Sequence, residues 1–156
     1  MRRNKLKKIY IGADHRGYKL KSKIVTFLQK SGYNVVDVGV FNDDRPFDYP
    51  IISYKVAKAV AASRNNIGIL ICMTGLGHVI AANKICGAYA ALCYNTETAE
   101  YSRRHNNANI LVLGAKFTKP SDINKIVTVW LNTKFDGGRH LRRVRLIKKI
   151  EKGEEL

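Results

Sequence analysis

The chain has 156 residues, room for one ordinary domain core and too few for two. Hydrophobic residues make up 46% and charged residues 26%, with 12 Gly and 3 Pro, which excludes a disordered or collagen-like chain. Lys and Arg number 28 against 12 Asp and Glu, and the resulting net charge of +16 raises nucleic acid as a partner before any motif is read. No run of about 18 uncharged apolar residues is present to span a bilayer, and residues 1–6 lead into no signal-peptide apolar core, so a cytoplasmic protein without membrane attachment is expected. Cys72, Cys86 and Cys93 form no C-x-x-C pair, which points to reduced thiols and to neither a disulfide scaffold nor a four-ligand zinc site. Five positive charges (Arg2, Arg3, Lys5, Lys7, Lys8) crowd the first eight residues and six more lie between Arg139 and Lys149. Residues 1–7 read as a solvated basic arm.

Short β-branched runs alternate with longer helical patterns, the signature of β-α-β units around a parallel sheet. Residues 8–13 read as a first strand; residues 17–30 carry Leu20, Ile24, Phe27 and Leu28 at helical spacing, with Gly32 as the stop. A second strand covers 34–38, and Pro50 suits the first turn of a helix whose Ile52, Val56, Ala59 and Val60 share a face. Residues 67–71, the most apolar run, predict a central strand buried on both faces, followed by a helix over 78–85. Strands at 89–93 and 110–113 flank a helix over 96–105. A further helix over 120–132 places Ile123, Ile126, Val127 and Trp130 on one stripe. After the Asp136-Gly137-Gly138 break comes a basic helix carrying Val144, Ile147 and Ile150. The expected architecture is a single α/β, Rossmann-like, three-layer domain over residues 8–138 with a five-stranded parallel sheet, and a C-terminal basic helix and tail over 139–156.

In open parallel sheets ligands bind beyond the carboxyl ends of the strands, where helix N-termini point their free N–H groups. That rule selects Asp14-His15-Arg16-Gly17, Cys72-Met73-Thr74-Gly75-Leu76-Gly77 and His105-Asn106 as candidate clusters. Gly75-x-Gly77 is no dinucleotide fingerprint, because Ile80 stands at the third glycine, and no Gly-Lys-Ser/Thr completes a phosphate loop. The segment is either a loop whose N–H groups, with Thr74, face an anion, or a tight strand-to-helix turn. Cys72 is either a thiol activated near a helix N-terminus, able to serve as a base, or a buried space-filler. Cys86 and Cys93 read as packing. His105 closes a polar helix end as a cap or as an acid–base group. Arg139 and Arg143, four residues apart on one helix face, have phosphate-binding spacing or form an exposed basic face.

Six motifs in order, Gly12-Ala13-Asp14-His15-Arg16-Gly17, Asp48-Tyr49-Pro50, Ile71-Cys72-Met73-Thr74-Gly75-Leu76-Gly77, Ala81-Ala82-Asn83-Lys84, Ser102-Arg103-Arg104-His105-Asn106 and Gly137-Gly138-Arg139-His140, resemble the ribose-5-phosphate isomerase B family, which also contains galactose-6-phosphate isomerase subunits. The resemblance covers residues 8–150. It implies an aldose–ketose isomerase of the pentose phosphate pathway that interconverts ribose 5-phosphate and ribulose 5-phosphate without metal or organic cofactor. By position, Cys72 is the implied base, with Thr74 and His105 assisting ring opening and the N–H groups of Met73 to Gly77, including Gly75, holding the enediolate oxygen. Asp14, Asp48, Tyr49 and Asn106 match positions that meet sugar hydroxyls or shape the pocket. His15, Arg139 and Arg143 match phosphate ligands, the two arginines donated by a neighbouring subunit, since family members form dimers with shared sites. A homodimer or a dimer of dimers is therefore expected.

The chain departs from the family at three positions. Met73 stands where glycine is usual, Lys116 replaces a common arginine near the phosphate, and His78 occupies the position of a glutamate base in a branch lacking the cysteine. His78 is thus an alternative base or a packing residue at a helix start. Two other functions remain compatible with the sequence: an isomerase of a six-carbon sugar phosphate (galactose or allose 6-phosphate), and a non-catalytic nucleic-acid-binding relative whose binding weakens steeply with salt.

Overall fold

The computed structural model of the chain describes residues 7–156, so the expected basic arm falls, apart from Lys7, outside the described residues. Strands β1 (Lys8–Ala13), β2 (Asn34–Asp37), β3 (Asn66–Cys72), β4 (Ala90–Leu92) and β5 (Ile110–Gly114) pair in parallel in the order β2-β1-β3-β5-β4. Between them run helices α1 (Tyr18–Lys30), α2 (Tyr49–Ala61), α3 (Leu76–Ala82) and α4 (Thr96–Arg104), followed by α5 (Ile123–Asn132) and α6 (Gly138–Glu151). This is the expected three-layer α/β domain. No helix among the described residues is long and apolar enough to cross a membrane.

Side chains on a strand alternate between its faces, so each central strand feeds two cores. Ile67, Ile69 and Ile71 of β3 join Ile9, Ile11, Leu111 and Leu113 under α1, α4 and α5, where Ile24, Leu28, Ile126 and Trp130 close the layer. Leu70, Ile110 and Val112 face the other way, against Ile52, Val56 and Val60 of α2 and Ala82 of α3. Cys72 follows Leu70 by two residues and therefore faces the α2/α3 layer.

Two helices start elsewhere than the periodicity predicts. α3 begins at Leu76 because Gly75, at φ +85°, turns the chain as its N-cap, and it ends at Ala82, where the Asn83 side chain exchanges two hydrogen bonds with the Ala90 backbone. α5 begins at Ile123 instead of 120, since residues 119–122 close a turn through the Asp122 N–H to the Lys119 carbonyl.

The helix after each strand runs back antiparallel to it, so helix N-termini gather at the carboxyl edge of the sheet and their C-termini at the amino edge. α6 departs from this alternation. It lies at the amino edge with His140 and Val144 buried, and Glu151 at its far end accepts bonds from the Gly87 N–H (3.0 Å) and the Tyr89 hydroxyl (2.7 Å).

Candidate active site

At the carboxyl edge, the Cys72 thiol is 5% exposed and receives the Gly75 N–H at 3.0 Å. The left-handed turn at Gly75 brings that N–H round, and a Cβ there would strike Leu92 Cδ1 at 2.4 Å. Burial pushes the thiol above its ordinary pKa; the N–H groups of Gly75, Thr74 and His78 pull toward the thiolate but are outweighed, and the charge of Asp14 adds to the rise. The resting site therefore holds a protonated sulfur beside donors oriented for an anion. Thr74 Oγ1 accepts the Leu76 N–H at 3.3 Å. Met73 is 41% exposed at the mouth of the loop, and its carbonyl takes the Lys116 N–H at 2.9 Å.

Asp14 and His15 leave the end of β1 beside this loop. One oxygen of the buried Asp14 carboxylate accepts the N–H groups of Arg16 and Gly17, both at 2.9 Å, fixing the turn into α1. His15 Nδ1 accepts the Phe47 N–H at 3.1 Å, which puts the ring proton on Nε2 and leaves that nitrogen as a donor. Asp48 is the exposed N-cap of α2 and makes no side-chain capping bond. Tyr49 follows at the first helical position with its ring against Gly77, where a Cβ would come within 2.5 Å of Tyr49 Cζ. Gly77 is thus needed for the close approach of α2 and α3 that sets Tyr49 beside the loop.

His78 is fully buried. Its Nε2 lies 3.2 Å from the Ile71 carbonyl, which can only accept, so Nε2 carries the proton and Nδ1 accepts from the Ser53 hydroxyl at 2.6 Å. The Tyr49 ring meets the imidazole edge-on, 5.8 Å between centroids. Burial lowers its pKa from 6.5 to about 4. With both nitrogens engaged and a weakly basic ring, His78 is a packing and hydrogen-bonding residue and no base for a substrate carbon. Its folded-state pKa lies below that of the unfolded chain, so this contribution to stability is complete above pH 6.5 and is lost as pH falls toward 4. The loss amounts to about 3 kcal/mol. Urea midpoints measured at pH 7 and pH 4.5 should show a steeper acid loss for the wild type than for His78→Gln; equal losses would refute the assignment.

His105 and Asn106 do not join this cluster, contrary to the expectation that they lie beyond the strand carboxyl ends. They precede β5, so α4 delivers them to the amino edge. Cys72 pairs with Gly114 and Gly68 with Ile110, so the two edges are about four residues, roughly 13 Å, apart. His105 is the C-cap of α4, one of the two roles its position allowed. Its ring stacks on His140 of α6, with centroids 4.1 Å apart and planes 6° from parallel, while Tyr101 lies at 4.7 Å on α4. Arg139 and Arg143 project from the exposed side of the same end of α6. Burial, His105 and the two arginines all lower the His140 pKa, against a smaller opposite effect of Asp136. Ligand atoms of His105, Asp136 and His140 lie within 4.8 Å of one another. Asp136 is gripped by Arg104 Nε at 3.1 and 3.3 Å, and parallel rings aim their lone pairs along separate planes, so a metal would have to break both arrangements.

A profile of the family described as Ribose/Galactose Isomerase matches residues 9–147. The chain belongs to the ribose/galactose isomerase family. Within it, the ribose-5-phosphate isomerase B of Escherichia coli K12 is 42% identical over 146 residues, covering 94% of this chain and 97% of that protein. The solved ribose-5-phosphate isomerase B of Clostridium thermocellum superposes with a TM-score of 0.91 at 49% identity, covering 94% and 98% of the two chains. That of Mycoplasma genitalium, with bound ribulose-5-phosphate, gives 0.90 at 42% identity, covering 93% and 96%. Against the family pattern, Met73 is accommodated by turning its side chain to solvent, which leaves the Gly75 N–H on the sulfur. Sequence reading missed two buried polar residues on the helices α2 and α1. Ser53 holds His78, and Lys21 is buried at 1% exposure. Both are polar residues on otherwise apolar helix stripes, Ser53 beside Ile52 and Val56, Lys21 in line with Ile24 and Leu28. That conflict is the signal that could have found them.

Proposed function

We propose that the chain interconverts ribose 5-phosphate and ribulose 5-phosphate, with each active site assembled from two copies. The observation that carries the reading is Cys72: a thiol at the end of the central strand, beside a helix-initiating loop that aims an N–H at its sulfur, with Asp14, His15, Asp48 and Tyr49 around the same edge. In the open-chain aldose, the Cys72 thiolate takes the C2 proton, the electron pair moves onto the carbonyl oxygen, and the enediolate charge settles against the loop N–H groups. The proton returns from sulfur to C1 while the O2 proton passes to O1, so the exchange balances without an oxidant or cofactor. His105, Asn106, Arg139 and Arg143 lie at the far edge of their own sheet, and a second copy presenting its amino edge to this carboxyl edge supplies them for ring opening and phosphate binding. His15, with Nε2 free to donate, meets the phosphate from the first copy.

Purified protein assayed against ribose 5-phosphate, galactose 6-phosphate and allose 6-phosphate should turn over the pentose with the highest kcat/KM. Turnover of a hexose phosphate with none of the pentose overturns the assignment.

A further inference from the structure

The segment that links β2 to Asp48 and Tyr49 is packed at its two ends, where Val38, Val40 and Phe47 lie against the α2 core, and open between them. Residues 41–46 are exposed, Phe41 by 69%, and a cleft of about 270 Å³ opens beside Gly39, Phe41, Arg45, Phe47 and Ile52. The Lys19–Asp43 contact at 3.3 Å is a surface pair, with Lys19 82% exposed, and such pairs hold little. The side-chain polar anchor of the segment is Lys21. Its ammonium, carried inward by α1, donates to both Asp37 oxygens at 2.6 and 2.8 Å and to the Val40 carbonyl at 2.6 Å, which uses all three of its protons. Asp37 Oδ1 also accepts the Gly39 N–H at 2.9 Å, and the ammonium sits 5.0 Å from the centre of the Phe41 ring. The Val40 N–H and the Gly39 carbonyl in turn pair with the Ala13 backbone, both at 2.8 Å, one residue before Asp14. At the far end of the segment the Phe47 N–H holds His15 Nδ1.

A buried ammonium costs solvation that the chain recovers only through well-placed acceptors, and here those acceptors are the end of β2 and the first turn of this segment. We infer that Lys21 is a positioning residue for phosphate recognition: by pinning Asp37 and Val40 it fixes the path from residue 38 to Phe47, whose N–H keeps His15 with Nε2 turned to the ligand. The inference rests on the isomerase reading for its kinetic consequence but not for its structural one.

Two variants and one spectrum test it. Lys21→Met removes the pin, and Lys21→Met with Asp37→Asn removes it without leaving a part-buried carboxylate deprived of its cation. In either folded variant, KM for ribose 5-phosphate and the inhibition constant of inorganic phosphate should both rise about tenfold or more, with kcat changed by less than about threefold. Nitrogen-15 spectra of the free wild-type protein should show His15 protonated at Nε2 alone, and the variants should lose that pattern. Unchanged KM, or a raised KM with the His15 pattern intact, overturns the inference. So does a wild-type spectrum lacking the Nε2-protonated form, whether or not either variant folds. Absence of turnover in the wild type with the His15 response present defeats the isomerase reading and leaves the pin standing.

Discussion

Cys72→Ala should lower kcat/KM for ribose 5-phosphate by about a thousandfold or more while the protein still folds, because a positioned general base contributes on the order of 10² to 10⁴ and no second base is within the same loop. His78, the competing residue, has both ring nitrogens in use and titrates near 4. The thermal cost should be slight, since losing one buried sulfur leaves a small void, with about 1 kcal/mol of stability at stake. The pH profile separates a base from a spacer. Burial holds the Cys72 thiol above its ordinary range, so wild-type kcat/KM should climb with rising pH through neutrality and past about 8.5 as thiolate forms. Any residual rate in the alanine variant should lack that slope. Activity within tenfold of wild type would end the case for sulfur as the base.

Mixing two dead proteins should restore activity. Cys72→Ala damages the carboxyl edge and His105→Ala the amino edge, and these edges are separated by the length of the strands that join them. If each site draws on one edge from each of two chains, a hybrid dimer carries one site with both lesions and one with neither. Random assortment of equal amounts makes half the dimers hybrid, so about a quarter of all sites should work. Mixtures formed by refolding or subunit exchange, assayed against each variant alone, give the measurement. A mixture no more active than its components means that one chain holds Cys72 and His105 together, which the parallel topology forbids, or that His105 takes no part in turnover. In either case the two-chain site falls.

Strand and helix alternation made the fold readable from residues alone: the apolar run at 67–71 became the central strand, and Cys72 at its end landed on the carboxyl edge as the parallel-sheet rule requires. His105-Asn106 was misplaced for a physical reason. Proximity to a strand is not proximity to its carboxyl end: a residue just before a strand lies at the opposite end of the sheet from one just after it. Helix boundaries at 76 and 123 escaped because they are set by a left-handed glycine and a hydrogen-bonded turn, neither of which hydrophobic spacing records. The tautomer of His15 depends on a partner 32 residues away, and that of His78 on the Ile71 carbonyl seven residues before it together with Ser53 25 residues away, so hydrophobic spacing could not have shown either.

The anchoring of α6 gives its far end a mechanical role. The helix is seated by His140 against His105 near one end and by Glu151 against Gly87 and Tyr89 at the other, and burial together with Glu151 keeps the Tyr89 phenol protonated as a donor. Arg139 and Arg143 stand about 6 Å apart along this rod, and Glu151 lies roughly 18 Å from Arg139. Both guanidinium groups therefore ride on a helix whose far end is held by a carboxylate three turns from Arg139, and loosening Glu151 should let that helix swing about its histidine end.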